Sequence, residues 1–366
     1  MNTEEMQQPE VLTGEEKERE TDIAKCPACG ANMIFSPEKG ELECPYCGTL
    51  SEIKADASVE KRLVELMTAN NTWSSETHVF RCENCGARQV INSGEIAKAC
   101  SFCGTTNVVQ TEEISGVKPN AVVPFAITVK QAIEKVKAWA KKKLFAPRRF
   151  KKEMKPENIN GVYNPAFTFD TQTHSTYHGT LGKYYYVTRT VNGKTQRVRK
   201  IRYFNISGNY DAFFDDVLVQ ASSAISQKYV DTMQPFETND SKEYTQEYLN
   251  GFTASQYERD GMSCWETAKE RIHERVKKLI LSQYTYDIVS SFSVNVACED
   301  ITYKYILLPV YVGHCKWNKK NYNFFVNGKN GKVAGKTPIS PLRVICAVAL
   351  GLAVVAGAIA LIYLLQ

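Results

Sequence analysis

The chain has 366 residues, of which 43% are hydrophobic, and 45 Lys and Arg stand against 40 Asp and Glu. This length allows two or three domains with a sizeable core. A composition near the globular average excludes wholesale disorder, collagen-like repeats and a protein that crosses a membrane many times. The net charge of +5 does not by itself indicate nucleic-acid binding.

The first 25 residues carry eight acids and three bases and contain no apolar run. A signal peptide needs a basic start and an apolar stretch, so this segment is not typical of one. We predict a disordered acidic tail over residues 1–25.

Eight of the 12 cysteines form two sets with the same spacing. In each set two C-x2-C pairs are separated by fourteen residues, and the second set follows the first by 56 residues, which indicates a duplicated unit. A glycine follows every pair, and four thiolates on two such turns complete a tetrahedral zinc site. We predict two zinc ribbons, residues 26–50 and 79–110, each with one structural zinc ion. The predicted ligands are Cys26, Cys29, Cys44 and Cys47, and Cys82, Cys85, Cys100 and Cys103.

Three other interpretations fit the cysteines less well. Disulfides are rare in proteins without an export signal, and a redox pair explains one C-x2-C but not four with matched spacing. Iron–sulfur binding stays open, but the paired spacing and the Cys-Pro-x-Cys-Gly turns favour zinc. Four sulfurs leave no position for a substrate, so the sites are predicted to be structural.

Between the ribbons, residues 51–78 are predicted to form a helical linker, because Val59, Leu63, Leu66 and Met67 recur at helical intervals. Residues 120–340 are predicted to be a β-rich α+β domain with two helices. Thr128 is the predicted N-cap of the first helix, whose inward-facing residues are Val129, Ile133, Val136 and Ala140. Ser263 is the predicted N-cap of the second helix, whose inward-facing residues are Ala268, Ile272, Val276, Leu279 and Ile280.

The strands of this domain are rich in aromatic residues, including Tyr184, Tyr185 and Tyr186, and this richness favours a packed sheet over a platform on which nucleic-acid bases stack. Asn192-Gly193 is typical of a hairpin turn between strands of alternating polarity.

Residues 130–155 carry eleven bases and two acids. Nucleic-acid phosphate, an anionic membrane leaflet and an acidic partner would all complement this cluster, as would plain solvation. Lipid headgroups are the simplest ligand if a membrane anchor follows. The predicted anion-binding residues are Lys141, Lys142, Lys143, Arg148, Arg149, Lys151 and Lys152.

Residues 344–365 contain no charge, and as a helix they would span about 33 Å, enough for a hydrocarbon core of about 30 Å. We predict a single transmembrane helix in a tail-anchored protein of the cell membrane. The preceding residues 324–343 carry four bases and no acid, so the positive-inside rule places the N-terminal bulk in the cytoplasm.

No catalytic motif is complete in the sequence. Gly331 to Thr337 is similar to the end of a phosphate-binding loop, but three residues separate its glycines where the motif needs four, and Pro338 follows where a helix should begin. We therefore predict a protein that is not an enzyme and binds no small-molecule substrate.

Several further motifs accompany the C-x2-C-G pairs: Gly161-Val162-Tyr163-Asn164-Pro165 with Phe169-Asp170, Leu308-Pro309-Val310-Tyr311, Val326-Asn327-Gly328-Lys329 and Gly331-Lys332-Val333. In these features the chain resembles a family of bacterial membrane-anchored double-zinc-ribbon proteins, often labelled TFIIB-type zinc ribbon or primosomal helicase-like proteins. Members are often encoded beside flotillin-like and phage-shock-like membrane-stress proteins, so the resemblance implies a scaffold that recruits such partners.

The leading hypothesis is a non-catalytic adaptor that binds protein partners through its ribbons and its β-rich domain. The alternative hypothesis is a membrane-tethered nucleic-acid-binding protein that uses the ribbons and the basic cluster.

Overall fold

A computed structural model describes residues 24–68, 77–92, 100–102, 105, 108–111, 117–153, 157–191, 194–318 and 320–364. It shows an α+β protein with a small three-stranded sheet and a large mixed sheet. All but the last two residues of the predicted acidic tail lie outside the described residues.

Sixteen strands occur in the described part of the chain, and two of them, β9 and β14, are 35 and 30 residues long. The strands are β1 (Ile34–Ser36), β2 (Glu41–Glu43), β3 (Leu50–Ser51), β4 (Lys61–Arg62), β5 (Thr77–Cys82), β6 (Arg88–Asn92), β7 (Val108–Thr111), β8 (Ala121–Val122), β9 (Glu157–Val191), β10 (Lys194–Phe214), β11 (Val219–Gln220), β12 (Lys242–Glu243), β13 (Thr253–Ser255), β14 (Ile288–Trp317), β15 (Lys320–Asn327) and β16 (Val333–Gly335).

Six α-helices and two short 3-10 turns accompany these strands in the described residues. The helices are α1 (Leu63–Thr68), α2 (Val129–Lys142), α3 (Arg148–Glu153), α4 (Gln227–Met233), α5 (Gly261–Ser282) and α6 (Pro341–Leu364), and the 3-10 turns are Thr238–Asp240 and Gln246–Leu249.

The antiparallel pair β9–β14 is the axis of the large sheet, with pairing from Gly182–Ile288 at one end to Glu157–His314 at the other. Strand β10 continues as a hairpin partner of β9, and β15 extends the sheet on β14. Two short parallel pairs, β13 with β9 and β8 with β14, make the sheet mixed. Strands β1, β2 and β3 form the separate small sheet.

Three buried clusters cover the faces of the large sheet. Helix α5 packs on Phe167 and Phe169 of β9, and helix α2 packs near Phe125, Tyr163 and Tyr311. Because strand side chains alternate between faces, the long β9–β14 pair contributes to all three clusters.

Both predicted helices of the β-rich domain are present, but two residues predicted to face inward are exposed and the start of one helix is wrong. Thr128 caps α2 in a capping box with Gln131, as predicted, but Val129 is 41% exposed. Helix α5 begins at Gly261 rather than at Ser263, because the Asp260 side chain accepts the Ser263 N–H and moves the cap three residues earlier. Its Leu279 is 40% exposed, whereas the other four residues predicted to face inward are buried.

The helical segment between the cysteine sets is shorter than its pattern suggested. Helix α1 covers only Leu63–Thr68, and β4 pairs with β14 just before it. Val59 is 75% exposed and lies outside any helix.

The hairpin prediction at Asn192-Gly193 falls outside the described residues. The pairing of Val191 with Lys194 closes the two strands across those two positions. The prediction of a packed sheet is wrong for the neighbouring tyrosines, because Tyr185 and Tyr186 are 37% and 52% exposed. They lie where β9 and β10 extend beyond the last β14 partner, so no third strand covers them.

Candidate metal centres and membrane-proximal surface

The first cysteine cluster consists of Cys26, Cys29, Cys44 and Cys47, whose sulfur atoms all lie within 4.8 Å of one another. The Cys26 and Cys47 sulfurs are 3.5 Å apart, and those of Cys29 and Cys44 are 3.4 Å apart. The first cysteine of each pair is buried and the second is exposed. The cluster therefore lies at the protein surface and could hold one metal ion.

We call each C-x2-C-G turn a knuckle, and the three knuckles that the structure describes in full have the same backbone hydrogen bonds. In the first, the Gly30 N–H donates to the Cys26 carbonyl at 2.8 Å, and the Cys26 N–H donates to Ala31. Gly30 has a φ of 72°, a left-handed conformation that glycine adopts without strain. The knuckles that begin at Cys44 and Cys82 repeat this arrangement. Turn geometry thus explains the glycine after each of the first three pairs.

Hydrogen bonds split the pKa values of the thiols in the first cluster. The hydroxyl and backbone N–H of Thr49, together with neighbouring thiols, lower the pKa of Cys47 to about 6. The pKa of Cys29 is raised to about 12, because the neighbouring sulfurs raise it by more than the Ala31 N–H lowers it. Such a set of thiols loses its remaining protons when a metal ion takes their place.

The second cysteine cluster consists of Cys82, Cys85 and Cys100, again with all sulfurs within 4.8 Å of one another. The fourth predicted ligand, Cys103, lies outside the described residues. Cys100 starts the last knuckle, and its N–H donates to Thr105 at 2.7 Å. Burial and the adjacent Cys100 sulfur raise the pKa of Cys85 well above its ordinary value, chiefly through the hydrogen bond with Cys100.

One segment, residues 246–256, contacts both cysteine clusters, and we call it the bridging segment. On the first side, the Phe35 N–H donates to the Asn250 carbonyl at 2.9 Å and the Phe35 ring packs 5.4 Å from that of Tyr248. On the second side, Ala254 pairs with Val90 of β6. Both knuckle pairs are therefore built into the body of the molecule.

The predicted basic cluster is brought together around one turn. Lys141, Lys142 and Lys143 end α2, and Arg148, Arg149, Lys151 and Lys152 lie in α3. The ammonium group of Lys151 donates to the Lys141 carbonyl at 3.0 Å, which connects the two helices.

This turn contacts the start of α6. The Arg343 guanidinium donates to the carbonyls of Leu144 and Ala146 at 2.9 and 2.7 Å, and the Ser340 N–H donates to Phe145. Leu144 is 78% exposed. The basic cluster and an exposed apolar side chain therefore lie directly beside the first turn of α6.

Helix α6 is long and apolar enough to cross a membrane. Its 18-residue window Pro341–Ala358 has a mean hydropathy of 2.1, and none of it is buried against the rest of the protein. The helix starts three residues earlier than predicted because Pro341 suits the first helical position, where no N–H bond is needed. At 24 residues it is about 36 Å long.

A third cluster of ligand-type side chains was missed at the sequence level. The carboxylates of Asp170, Asp215 and Asp216 lie within 4.8 Å of one another. Lys304, which is buried, forms ion pairs with Asp216 at 3.2 Å and with Glu60 at 3.4 Å. A lysine thus already supplies the positive charge. The residues come from four distant parts of the chain, and no spacing pattern could have joined them.

The pKa values of Asp170 and Lys304 in this cluster differ from their ordinary values. Burial, together with a hydrogen bond shared with Glu60, raises the pKa of Asp170 to about 7. Burial alone would lower the pKa of Lys304, but the adjacent carboxylates, Asp216 first, raise it above its ordinary value. Asp170 therefore keeps its proton to a higher pH than an ordinary aspartate, and in that form it donates to Glu60.

Comparison with known proteins gives one informative relative. An uncharacterized protein of Bacillus subtilis (strain 168), YdjG, is 28% identical over 329 residues, which cover 86% of this chain and 90% of that protein. The similarity therefore extends far beyond the cysteine pairs. No protein-family model and no solved structure matches the chain.

Proposed function

We propose that this chain is a non-catalytic, membrane-anchored adaptor whose folded body binds a protein partner on the cytoplasmic side. The observation that carries the proposal is α6, an apolar helix with no buried residue in its 18-residue window. A helix of this length in a soluble core is normally buried on at least one side. A lipid bilayer is the solvent in which an apolar helix exposed all round is stable.

The basic cluster supports the same orientation. It lies against the first turn of α6 through the Arg343 contacts, at the depth where lipid headgroups would begin. Lys and Arg near an anionic leaflet each contribute about 1 kcal/mol of attraction. Bases concentrate on this side of the apolar helix, which favours a cytoplasmic body.

Zinc is the metal that suits the cysteine clusters best. A tetrahedral zinc ion with bonds of about 2.3 Å to sulfur separates its ligands by about 3.8 Å. The sulfur separations of 3.4 and 3.5 Å in the first cluster are close to this value. We propose one structural zinc ion in each cluster, which stabilises two small units with little core of their own.

The exposed face of the β1–β2–β3 sheet is the surface we propose for the protein partner. Ile34 and Leu50 lie on this face in one cross-strand row through Glu43, and they are 43% and 42% exposed. Tyr46, within the second knuckle, is 83% exposed. Aromatic and aliphatic side chains held on a rigid metal-braced sheet are typical anchors of protein interfaces.

The test is a comparison of partners recovered from membranes with the full-length protein and with a Leu50→Glu, Tyr46→Ser variant. Flotillin-like and phage-shock-like proteins are the first candidates, following the family resemblance. We expect at least one protein to bind the wild type stoichiometrically and to be reduced about tenfold or more by the variant.

The matched control is Phe213→Ser, which removes a side chain that is 63% exposed on β10, a strand of the large sheet and not of the β1–β2–β3 sheet. It should leave the partner bound. Equal recovery of every protein by the wild type and the Leu50→Glu, Tyr46→Ser variant would contradict the adaptor proposal at this surface.

A further inference from the structure

Beyond the last pairing with β14, residues 183–191 of β9 and 194–203 of β10 form a two-stranded ribbon that projects from the large sheet, and we call the segment 183–203 the basic ribbon. The last β14 partner of β9 is Gly182, which pairs with Ile288, and beyond it β9 pairs only with β10 among the described residues. The β9 arm of this basic ribbon, residues 183–191, is about 30 Å long. The described side chains on both faces of the ribbon are exposed or half-buried, and the Tyr184 N–H on its β9 edge donates to the Asp287 carboxylate.

The basic ribbon contains seven bases and no acid in 21 residues. Since the whole chain has a net charge of +5, all the residues outside the ribbon together carry −2. The six basic side chains of the ribbon that the structure describes, which exclude Lys194, form no ion pair with the described residues. The bases are Lys183, Arg189, Lys194, Arg197, Arg199, Lys200 and Arg202.

Three arginines of the ribbon are held in place by tyrosines. The guanidinium of Arg197 lies 4.3 Å from the Tyr186 ring centre, and that of Arg199 lies 4.4 Å from Tyr184. Arg202 stacks on Tyr185 at 5.5 Å. Stacking on a ring face restrains an arginine while its N–H groups remain free to bind a phosphate at the edge.

The charges occupy both faces of the ribbon. Arg199 is directly opposite Tyr186, and Lys200 is opposite Tyr185, so Arg197 and Arg199 lie on one face and Lys200 and Arg202 lie on the other. A flat acidic protein surface or a bilayer would contact one face only. A duplex major groove is about 12 Å wide and admits a two-stranded ribbon, and a ribbon that enters it edge-on turns one face toward each of the two phosphate rows.

We propose that the basic ribbon is a binding surface for double-stranded DNA, with the ribbon inserted into the major groove. B-form DNA suits it, because the major groove of A-form RNA is too narrow and deep for side chains to read. The ribbon also lies far from the anchor. Lys183 lies 26 residues along β9 from Glu157, which corresponds to about 85 Å of strand. Glu157 pairs near the end of β14, and the Trp317 ring at that end of β14 packs on α3, which belongs to the basic cluster beside α6.

The test uses the full-length protein in nanodiscs of neutral phosphatidylcholine and a fluorescent 20-base-pair duplex. Two variants remove two charges each, Arg197→Gln with Arg199→Gln on one face, and Lys200→Gln with Arg202→Gln on the other. We expect each pair to weaken binding about tenfold and to reduce the slope of log affinity against log salt by about 1.8, because two phosphate contacts are lost.

The charge-matched control is Lys142→Gln with Lys152→Gln in the basic cluster, which should change DNA affinity less than about twofold. All variants must keep wild-type metal content and melting temperature, which shows that the fold is intact. Sensitivity of only one face, an equal loss in the control, or stronger binding of poly-glutamate than of the duplex would overturn the proposal. Single-stranded DNA or duplex RNA that binds more tightly than duplex DNA would overturn it too.

Discussion

The proton on Asp170 shows how the fold sets the chemistry of one side chain. Asp170 is only 6% exposed, and its carboxylate accepts the Asp216 N–H at 2.7 Å while it shares a hydrogen bond with Glu60. A buried carboxyl group in contact with a second carboxylate retains its proton, because removing it would leave two adjacent negative charges. Lys304 forms ion pairs with Glu60 and Asp216 in the same cluster.

This arrangement makes folding stability depend on pH. The pKa of Asp170 is raised from 3.8 to about 7 on folding, so the folded state binds more protons between those values and the stability falls as pH rises through this range. In Asp170→Asn the amide keeps both hydrogen bonds and does not titrate. We expect the variant to gain about 2–4 °C in melting temperature relative to the wild type between pH 5 and pH 8.

Differential scanning calorimetry of both proteins in the same detergent measures this difference. Glu52→Gln, at an exposed position, should follow the wild type at every pH. A constant offset between the wild type and Asp170→Asn from pH 5 to pH 8 would show that Asp170 does not hold the proton.

At the scale of secondary-structure elements, the bridging segment joins both cysteine clusters to the core of the protein. Its aromatic residues connect the small sheet of the first cluster to the core, since the Phe252 ring stacks on Phe125 at 4.3 Å and lies 6.3 Å from the Phe35 ring. Its strand β13 then joins β6 of the second cluster to β9. The cysteine turns are thereby continuous with the core and do not form separate units on a linker.

Replacing one ligand should therefore have a local and measurable effect. We expect Cys44→Ser to reduce bound zinc from about two ions per chain to about one, because three sulfurs hold the ion poorly. The second cluster keeps its ion, since β13 and β9 still support β6. Elemental analysis of the purified protein gives the zinc count, and limited proteolysis should show new cleavage between residues 24 and 51.

Cys298→Ser changes a thiol that belongs to neither cluster, and it should keep both ions. Two ions in Cys44→Ser, or none, would be inconsistent with one independent site per cluster.

The sequence predicts those elements that depend on local patterns, and it misses those made by distant residues. The knuckles were predictable because C-x2-C-G fixes a turn within five residues, and α2 because Thr128 and Gln131 form a capping box. The predicted start of α5 is three residues too late, because Asp260 and Ser263 are both good N-cap residues and the local sequence does not show which of them caps the helix. The bridging segment and the Lys304 cluster join residues more than 150 positions apart, such as Phe35 with Asn250, so no local pattern reveals them.

At the scale of the whole molecule, charge is divided between two distant ends. The basic cluster lies beside α6, and the basic ribbon lies at the far end of β9. The two sites differ in context, because exposed Leu144 and Phe145 accompany the first and stacked tyrosines accompany the second. Apolar side chains next to bases suit the headgroup region of a membrane.

Membrane attachment should therefore separate into a strong and a weak component. Deleting residues 344–366 removes the apolar helix but keeps Arg343 and its contacts with the α2–α3 turn. We expect the shortened protein to move to the soluble fraction and to retain only weak binding to vesicles rich in anionic phosphatidylglycerol. Four changes in the basic cluster, Lys142→Gln, Lys143→Gln, Arg148→Gln and Lys152→Gln, should remove most of this residual binding, at about 1 kcal/mol per charge.

Sedimentation with vesicles at 0.05 and 0.3 M salt measures both components, because salt screening weakens the electrostatic binding of the basic cluster and leaves the insertion of the helix unaffected. The ribbon changes Arg197→Gln and Arg199→Gln provide the comparison and should leave vesicle binding as it was. A shortened protein that still resists extraction from membranes by alkaline carbonate would show that a part of the chain other than α6 is the anchor.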